Sequence, residues 1–474
     1  MRNHLREHPT VRTLGELKAS GWESLAVKEE LRRNAARRIT AGLPIVDGVV
    51  GYDTTVLPQL ERALLAGHDV IFLGERGQAK SRMIRALATL LDEWLPIVEG
   101  SEINDDPYTP CSLFARDLVA ELGDSTPIRW VARSERYGEK LATPDTSIAD
   151  LIGEVDPIKV AEGRYLADER AVHYGLVPRS NRGIFAVNEL PDLAERIQVS
   201  LLDVLEERDV QIRGYKMRLP LDVFLVASAN PEDYTNRGRI ITPLKDRFGA
   251  QIRTHYPLDL ATEIDVILQE AQPVEVSGVR VEIPAFMTEI VGRLSQLARE
   301  SGRVSQRSGV SVRVGIANVE TLAAAAVRRA LAHGEAEAVP RVSDLGALTA
   351  STLGKIEVEG FDRSGDDAEV VERIVRQATL ATFREYCPPQ NLGSVVGSFE
   401  DGLVIEVGEE VAATDYVKLL AACPQLRSPV VAVTGGSESA AMIASAVELV
   451  LEGLHLSKRL NKDALGERVA YKAR

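Results

Sequence analysis

Cysteine is scarce in this sequence, and its few cysteines are poorly placed for cross-linking. The 474 residues include three, Cys111, Cys387 and Cys423, which lie far apart and form no C-x-x-C pair. An odd number of distant cysteines argues against a disulfide framework and against a zinc site. The pattern fits a reducing compartment, and we expect a cytoplasmic protein.

Long apolar runs are also missing. The first 38 residues carry charges throughout and contain no apolar segment of the kind found in a signal peptide. The most apolar stretch, Ala440 to Leu456, is interrupted by Glu448 and Glu452. No uninterrupted run reaches the ~18 residues that a membrane-spanning helix needs. The sequence therefore predicts no association with a membrane.

An excess of positive charge is absent as well. The chain has 56 Lys and Arg against 70 Asp and Glu, which gives a formal net charge of −14. Broad, sequence-independent DNA binding depends on Lys and Arg that neutralise phosphates, so nucleic acid is an unfavourable partner, although local basic patches remain possible. With 45% hydrophobic residues, a packed core is expected.

The most informative stretch that is present leads from an apolar run into a glycine-bearing loop and then into a helical pattern. After Val70 to Leu73 the chain reads Gly74, Glu75, Arg76, Gly77, Gln78, Ala79, Lys80, Ser81. This is the layout of a phosphate-binding loop, whose backbone N–H groups point at phosphate oxygens. We expect Lys80 to reach the outer phosphates of a nucleotide and Ser81 to ligate Mg²⁺.

The loop departs from the general pattern G-x-x-x-x-G-K-[ST] at one position. Ala79 stands where the second glycine belongs, and alanine lacks the freedom of glycine at positive φ. Gly77 offers another place for the chain to bend. The alternative is an ordinary strand-to-helix turn with a chance Lys-Ser.

Two further apolar runs end in polar residues. Gly183 to Val187 is followed by Asn188 and Glu189, and Val223 to Ala227 by Ser228-Ala229-Asn230-Pro231. Such runs are typical of strands buried on both faces of a parallel sheet, and ligands bind at the carboxyl ends of those strands.

In phosphate-binding-loop ATPases an acidic pair at this place holds Mg²⁺ and orients the attacking water. This chain keeps Glu189 but has Asn188, an amide without charge, as the first member. Asn230 would stand beside Glu189, where it could bond the water or the terminal phosphate. The alternative is a turn residue before a proline.

Two other segments are candidates for function. Val50 and Gly51, just before a helical stretch, could form a wall of an adenine pocket or a simple linker. Arg247, beside Phe248 at a loop–helix junction, could cap the core through an ion pair. It could equally reach the nucleotide of a neighbouring subunit, as an arginine finger does.

Composition divides the chain into four regions. Residues 1–43 predict a mixed-charge, mostly solvated helical segment, and 44–257 an α/β core. Within that core, 147–182 is expected to be an inserted hairpin or loop that projects from it, and 210–219 a β-hairpin. Residues 258–390 are predicted to be helical, and 391–474 mostly helical.

Taken in order, these motifs resemble the AAA+ ATPases of the MoxR and magnesium-chelatase ATPase-subunit group, over about residues 44–330. The resemblance implies an α/β AAA+ core, with a parallel sheet flanked by helices, followed by a helical lid and a mostly helical C-terminal region. It also implies ATP and Mg²⁺ as ligands, ATP hydrolysis, and assembly into a homo-oligomeric, hexameric ring.

The same resemblance assigns roles to individual residues. Glu189 would be the catalytic base, Asn230 the first sensor, Arg247 the arginine finger and Arg313 the second sensor, reaching from the lid. Members of the group commonly work with a protein that bears a von Willebrand factor A domain, which is the partner we expect.

Three alternatives stay open. The chain could be the ATPase subunit of a magnesium chelatase, which drives metal into a porphyrin. It could also be a nucleotide-binding scaffold without turnover, for which Ala79 and Asn188 are the evidence. A DNA motor is disfavoured by the net charge.

Overall fold

The fold was analysed in a computed structural model of the full chain. The structure describes all residues except 1–8, 157, 159–168, 204–208, 213–214, 231–238, 306–308, 358–365, 389–391 and 466–467. Of the sequence-based predictions, the middle of the 147–182 insertion, the tip of the hairpin and the residues that follow Asn230 lie outside the described residues. The chain packs as two units, residues 1–255 and residues 256–474.

Among the described residues, the first unit is built on a sheet of five parallel strands. Its strands are β1 (Val70–Leu73), β4 (Tyr137–Leu141), β7 (Gly183–Asn188), β10 (Val223–Ala229) and β11 (Ala250–Arg253). Across the sheet they lie in the order β11-β1-β10-β7-β4. The central strands β7 and β10 are buried along their whole length, as their continuous apolar sequences predict. The predicted fold class is confirmed.

Helices cover this sheet, and smaller antiparallel pairs flank it. The helices are α1 (Leu14–Ala19), α2 (Val27–Thr40), α3 (Leu57–Ala66), α4 (Lys80–Ala86), α5 (Leu113–Leu122), α6 (Ile148–Leu151), α7 (Leu176–Arg179), α8 (Glu195–Leu202) and α9 (Thr242–Arg247). The pairs are β2 (Trp94–Val98) with β3 (Ile128–Ala132), β5 (Gly153–Val155) with β6 (Val172–Tyr174), and β8 (Asp209–Ile212) with β9 (Tyr215–Arg218).

The N-terminal helix α2 differs from the expectation of a mostly solvated surface helix. Val27, Leu31 and Ala35 are buried in the core that also contains strand β1. Glu30 is buried too, and its carboxylate forms an ion pair with the fully buried Arg136. The sequence predicts that the charged residues of this helix are solvated, because sequence alone does not distinguish a buried ion pair from an exposed one.

The described part of the 147–182 insertion also differs from its prediction. The antiparallel pair β5–β6 forms the expected hairpin stem. However, Leu151, Val155 and Tyr174 are buried in the core on one face of the sheet, so the stem packs on the core rather than projecting from it. Alternate apolar residues of the two short strands provide this contact.

The second unit is largely helical. Its helices are α10 (Leu260–Glu270), α11 (Ala285–Glu300), α12 (Arg313–His333), α13 (Leu348–Thr352), α14 (Asp366–Tyr386), α15 (Gly393–Glu400), α16 (Ala413–Ala422), α17 (Arg427–Thr434) and α18 (Ala440–Leu456). Its strands are the parallel pair β12 (Arg280–Val281) and β13 (Glu337–Ala338), and the antiparallel set β14 (Ile405–Gly408), β15 (Leu460–Leu465) and β16 (Arg468–Ala473).

The division predicted at residue 390 does not coincide with a break in packing. Apolar residues from Ile267 to Tyr471 form one continuous cluster among the described residues. Helix α18 supplies much of it and packs against α14 and α16. The strands β15 and β16 were not predicted, since their alternation of polar and apolar residues is short and weak. Among the described residues, no helix combines the length and apolarity needed to cross a bilayer.

Candidate active site

The loop after β1 is shaped by a close approach at Gly74. A Cβ atom at this position would lie 2.0 Å from Oγ1 of Thr254 and 2.2 Å from Oε1 of Gln78, so only glycine fits. The Thr254 hydroxyl donates to Gln78 Oε1 at 2.6 Å, and the Thr254 N–H donates to the Leu73 carbonyl at 2.8 Å. The loop is thereby fixed to the end of the neighbouring strand β11.

The bend of the loop uses two residues in the left-handed region. Gly77 has φ of 80°, which costs glycine little. Ala79, the residue just before α4, has φ of 55° and ψ of 14°. The loop therefore keeps the backbone conformation that glycine would adopt, and Ala79 bears the steric cost.

Lys80 is buried and joins the loop to the end of β10. Its ammonium donates to the Gly74 carbonyl. It also donates to the Glu75 carbonyl and to Asn230 Oδ1, each at 2.7 Å. The Asn230 amide in turn donates from Nδ2 to Glu189 Oε2 at 2.7 Å. Three residues singled out in the sequence, from three different strand ends, thus form one hydrogen-bonded chain.

Glu189 follows β7 and has a backbone conformation that positions its side chain. Its φ of 56° and ψ of 49° are left-handed, and its N–H donates to the Ser228 hydroxyl at 3.2 Å. Such a conformation is uncommon for a residue other than glycine, and it clusters at functional sites. The turn directs the carboxylate to Asn230 at the carboxyl end of the sheet.

Asn188 lies between the loop helix and a carboxylate that the sequence analysis missed. Its Oδ1 accepts from the Ser81 hydroxyl at 3.4 Å and from the Ser228 hydroxyl at 3.2 Å. Its Nδ2 donates to Glu139 Oε1 at 2.6 Å. No motif marks Glu139; only the pairing of β4 with β7 places it beside Asn188.

Two further groups hold Glu139 from its other side. Arg85 donates to both carboxylate oxygens, at 2.8 and 2.9 Å, and the Tyr137 hydroxyl donates at 3.1 Å. The Arg85 hydrogen bonds lower the pKa of the Glu139 carboxyl, against the effect of partial burial. Glu139 is therefore ionised at neutral pH.

Arg247 is separated from the loop by the length of a strand. It ends helix α9 and is half-buried, three residues before β11. In the register of the sheet, Ala250 lies beside Val70 and Arg253 beside Leu73. Gly74 therefore lies four residues beyond the level of Ala250, which at about 3.3 Å per residue is roughly 13 Å along the strand direction. Arg247 precedes the amino end of β11, whereas the loop follows the carboxyl end of β1, and its role as an arginine finger stays a prediction.

Arg313 belongs to the second unit, where it is the first residue of α12 and is exposed. Its N–H donates to the Ser311 hydroxyl at 3.2 Å. Its expected role as a second sensor stays a prediction.

The segment with Val50 and Gly51 is connected to the loop through a residue that was not predicted. Val50 and Gly51 are half-buried, and Gly51 has φ of 82°. The next residue, Tyr52, places its hydroxyl 2.9 Å from the Gln78 carbonyl and 2.8 Å from the His255 carbonyl. Burial raises the pKa of Tyr52 to about 12, so the phenol keeps the proton that it donates.

The donors at this place are suited to Mg²⁺. Ser81, Asn188 and Glu189 offer hydroxyl, amide and carboxylate oxygens, and oxygen ligands are those that Mg²⁺ prefers. Magnesium is commonly bound through one or two carboxylates together with substrate phosphates. Among the described residues no group of three or more His, Cys, Asp or Glu forms a separate metal site.

Comparison with known proteins supports the same family. A family model described as the Sigma-54 interaction domain matches residues 160–247. The magnesium-chelatase 38 kDa subunit of Cereibacter sphaeroides is 32% identical over 201 residues, which cover 42% of this chain and 54% of that protein. The magnesium-chelatase subunit ChlI of Mesostigma viride is 33% identical over 210 residues, 41% of this chain and 52% of that protein. The chain thus spans about half the length of the curated relatives it matches.

Solved structures resemble the chain only weakly. The complex between subunits BchI and BchD of magnesium chelatase, based on a cryo-EM reconstruction, is 22% identical. It covers 69% of this chain and 98% of that chain, with a TM-score of 0.35. The structural likeness is too weak to support a functional argument, so the family resemblance rests on the sequence relatives. The resemblance predicted from the motifs is confirmed: over the matched part, this chain is similar to AAA+ ATPases of the magnesium-chelatase group.

Proposed function

We propose that this protein is a Mg²⁺-dependent AAA+ ATPase that hydrolyses ATP and uses the energy to remodel or activate a partner protein. The observation that carries the proposal is the hydrogen-bonded chain from Lys80 through Asn230 to Glu189. It joins a group that binds phosphate, a group that can sense phosphate and a carboxylate that can handle the attacking water.

The residues divide the work as follows. Loop backbone N–H groups and Lys80 would bind the phosphates, while Ser81 and Asn188 would hold Mg²⁺. When bound, Mg²⁺ neutralises charge on the phosphate oxygens. Glu189 orients a water for in-line attack on the γ-phosphate and accepts its proton. Asn230, bonded to both Lys80 and Glu189, couples phosphate binding to the position of that carboxylate.

Assembly into a ring, with the hexamer as the expected size, is part of the proposal. Arg247 lies at the far end of the strand pair from its own loop, so an arginine finger at this position would serve the nucleotide of a neighbouring copy. Arg313 would act from the helical lid, as the family resemblance implies.

The partner distinguishes two forms of this function. In the MoxR-like form that we favour, the client is a protein with a von Willebrand factor A domain. In the alternative form, the chain is the ATPase subunit of a magnesium chelatase, as the names of its relatives suggest. Co-purification of a von Willebrand factor A protein or of porphyrin-binding subunits would separate the two.

Substitution of the expected base tests the catalytic part. Glu189→Gln keeps the shape of the side chain and the bond from Asn230, but the amide accepts a proton poorly. We expect ATP turnover to fall by about 10²- to 10⁴-fold, with ATP affinity, measured by calorimetry, retained. Glu195→Gln, at an exposed position of α8, serves as the control and should leave turnover unchanged.

Turnover by the unmutated protein distinguishes an ATPase from a nucleotide-binding scaffold. If it binds Mg-ATP but shows no turnover at any protein concentration, the chain is a nucleotide-binding scaffold and the enzymatic proposal is wrong.

A further inference from the structure

The orientation of the Asn188 amide is dictated by Glu139. Glu139 is paired with Arg85, and its Oε1 accepts a hydrogen bond from the amide nitrogen of Asn188 at 2.6 Å. The amide oxygen is therefore turned to the opposite side, where the hydroxyls of Ser81 and Ser228 donate to it. A neutral partner at position 139 would not enforce this choice.

The sheet places these groups on the same face. In the register of β4 and β7, Glu139 lies beside Ala186, two residues before Asn188. Alternate residues of a strand share a face, so Glu139 and Asn188 project to the same side. The Ser228 hydroxyl that donates to Asn188 comes from the other neighbouring strand, β10.

The carboxylate is held in place by the helix that carries Ser81. Arg85 lies one turn after Ser81 on α4 and binds both oxygens of Glu139. The Arg85 side chain is 65% exposed, whereas that of Glu139 is 21% exposed. Water screens the exposed guanidinium more strongly than the carboxylate, and Glu139 Oε1 also accepts from Asn188.

From this network we propose that Glu139 is a positioning residue for Mg²⁺. It supplies, through Asn188, the negative charge and the orientation that an aspartate at position 188 would supply alone. The proposal rests on the proposed nucleotide site. It also explains the amide: an aspartate at 188 would place two carboxylates within hydrogen-bonding distance, where like charges repel each other.

A double-substitution experiment tests this on the full chain. ATP binding is measured by calorimetry across Mg²⁺ concentrations for the unmutated protein and for Glu139→Gln, Asn188→Asp and the two combined. Residues that support metal ligands typically contribute 10- to 100-fold to metal affinity, so we expect Glu139→Gln to raise the half-saturating Mg²⁺ concentration by about tenfold. Binding without Mg²⁺ should stay unchanged.

The combined variant, Glu139→Gln with Asn188→Asp, is the decisive one. It moves the charge from strand β4 to β7 and should restore the Mg²⁺ dependence of the unmutated protein. Glu135→Gln, an exposed residue near β4, is the matched control and should have no effect. Thermal melts of each variant show whether it is folded.

Four results are informative. An unchanged Mg²⁺ dependence in folded Glu139→Gln overturns the proposal, as does a combined variant no better than Glu139→Gln alone. If the unmutated protein fails to bind Mg-ATP, the proposed function itself is wrong. Restoration by the combined variant supports the proposal even where a single variant is unstable.

Discussion

At the scale of single residues, Gly74 and Ala79 shape the phosphate-binding loop in opposite ways. Position 74 has room only for glycine, whereas position 79 holds an alanine in a conformation that suits glycine better. Gly74 is required because no Cβ fits between Thr254 and Gln78. Ala79 has a Cβ in a left-handed conformation, which costs an L-residue roughly 1–2 kcal/mol. The surrounding loop must stabilise this residue, so the strain is stored where phosphate is expected to bind.

Replacement of Ala79 by glycine should therefore stabilise the protein. Glycine removes the steric cost but adds freedom to the unfolded chain, and we expect a net gain of about 0.5–1 kcal/mol in the free energy of unfolding. Urea denaturation measures it. Ala86→Gly is the control, because Ala86 has helical φ and ψ and its replacement should destabilise. A loss of stability in Ala79→Gly would contradict the strain argument.

At the scale of elements, helix α2 is fixed to the sheet by a buried ion pair. Glu30 accepts from Arg136 at 2.9 and 2.5 Å, and Arg136 also donates to the Arg182 carbonyl. Arg182 directly precedes β7, the strand that leads to Asn188 and Glu189. The position of that strand therefore depends on a helix that lies far away in the sequence.

Removal of one partner of this pair should be costly. Glu30→Ala leaves the Arg136 guanidinium buried without its counter-charge, and we expect a loss of about 3–5 kcal/mol in the free energy of unfolding. Chemical denaturation followed by circular dichroism gives the value. Glu29→Ala changes the neighbouring, exposed residue of the same helix. Equal effects of the two substitutions would show that the ion pair is not responsible.

The sequence predicted the elements that have strong patterns and missed those that depend on tertiary pairing. The buried strands β7 and β10 and the loop after β1 follow from continuous apolar runs and a spaced lysine. Glu139 carries no such signal, because its proximity to Asn188 arises from the register of two strands that are 41 residues apart. The burial of Glu30 was missed because charge alone does not tell a buried pair from a solvated one.

At the scale of the whole molecule, the location of Arg247 favours an active site shared between copies. It precedes the amino end of β11, whereas its own loop follows the carboxyl end of β1, and the proposed function gives it the role of an arginine finger. The position and the proposed role are compatible if the finger acts on the next subunit in a ring. Activity would then depend on assembly.

Arg247→Ala should therefore lower turnover without weakening ATP binding. An arginine finger typically contributes 10³- to 10⁵-fold, so we expect turnover to fall by about 10³-fold or more. Mixing this variant with Glu189→Gln should recover activity, because some interfaces then combine an intact base with an intact finger. Lys245→Ala, exposed on the same helix, is the control. Absence of recovery in mixtures that assemble would argue against a shared site.

The order of the strands in the small antiparallel sheet bears on how the chain folds during synthesis. The sheet runs β14-β16-β15, so the strand Arg468–Ala473 occupies the middle and pairs with both neighbours. Its Tyr471 also joins the common core of the second unit. Because domains fold in order as they leave the ribosome, the nucleotide-binding unit can fold while translation continues. The second unit must wait until residue 473 has emerged.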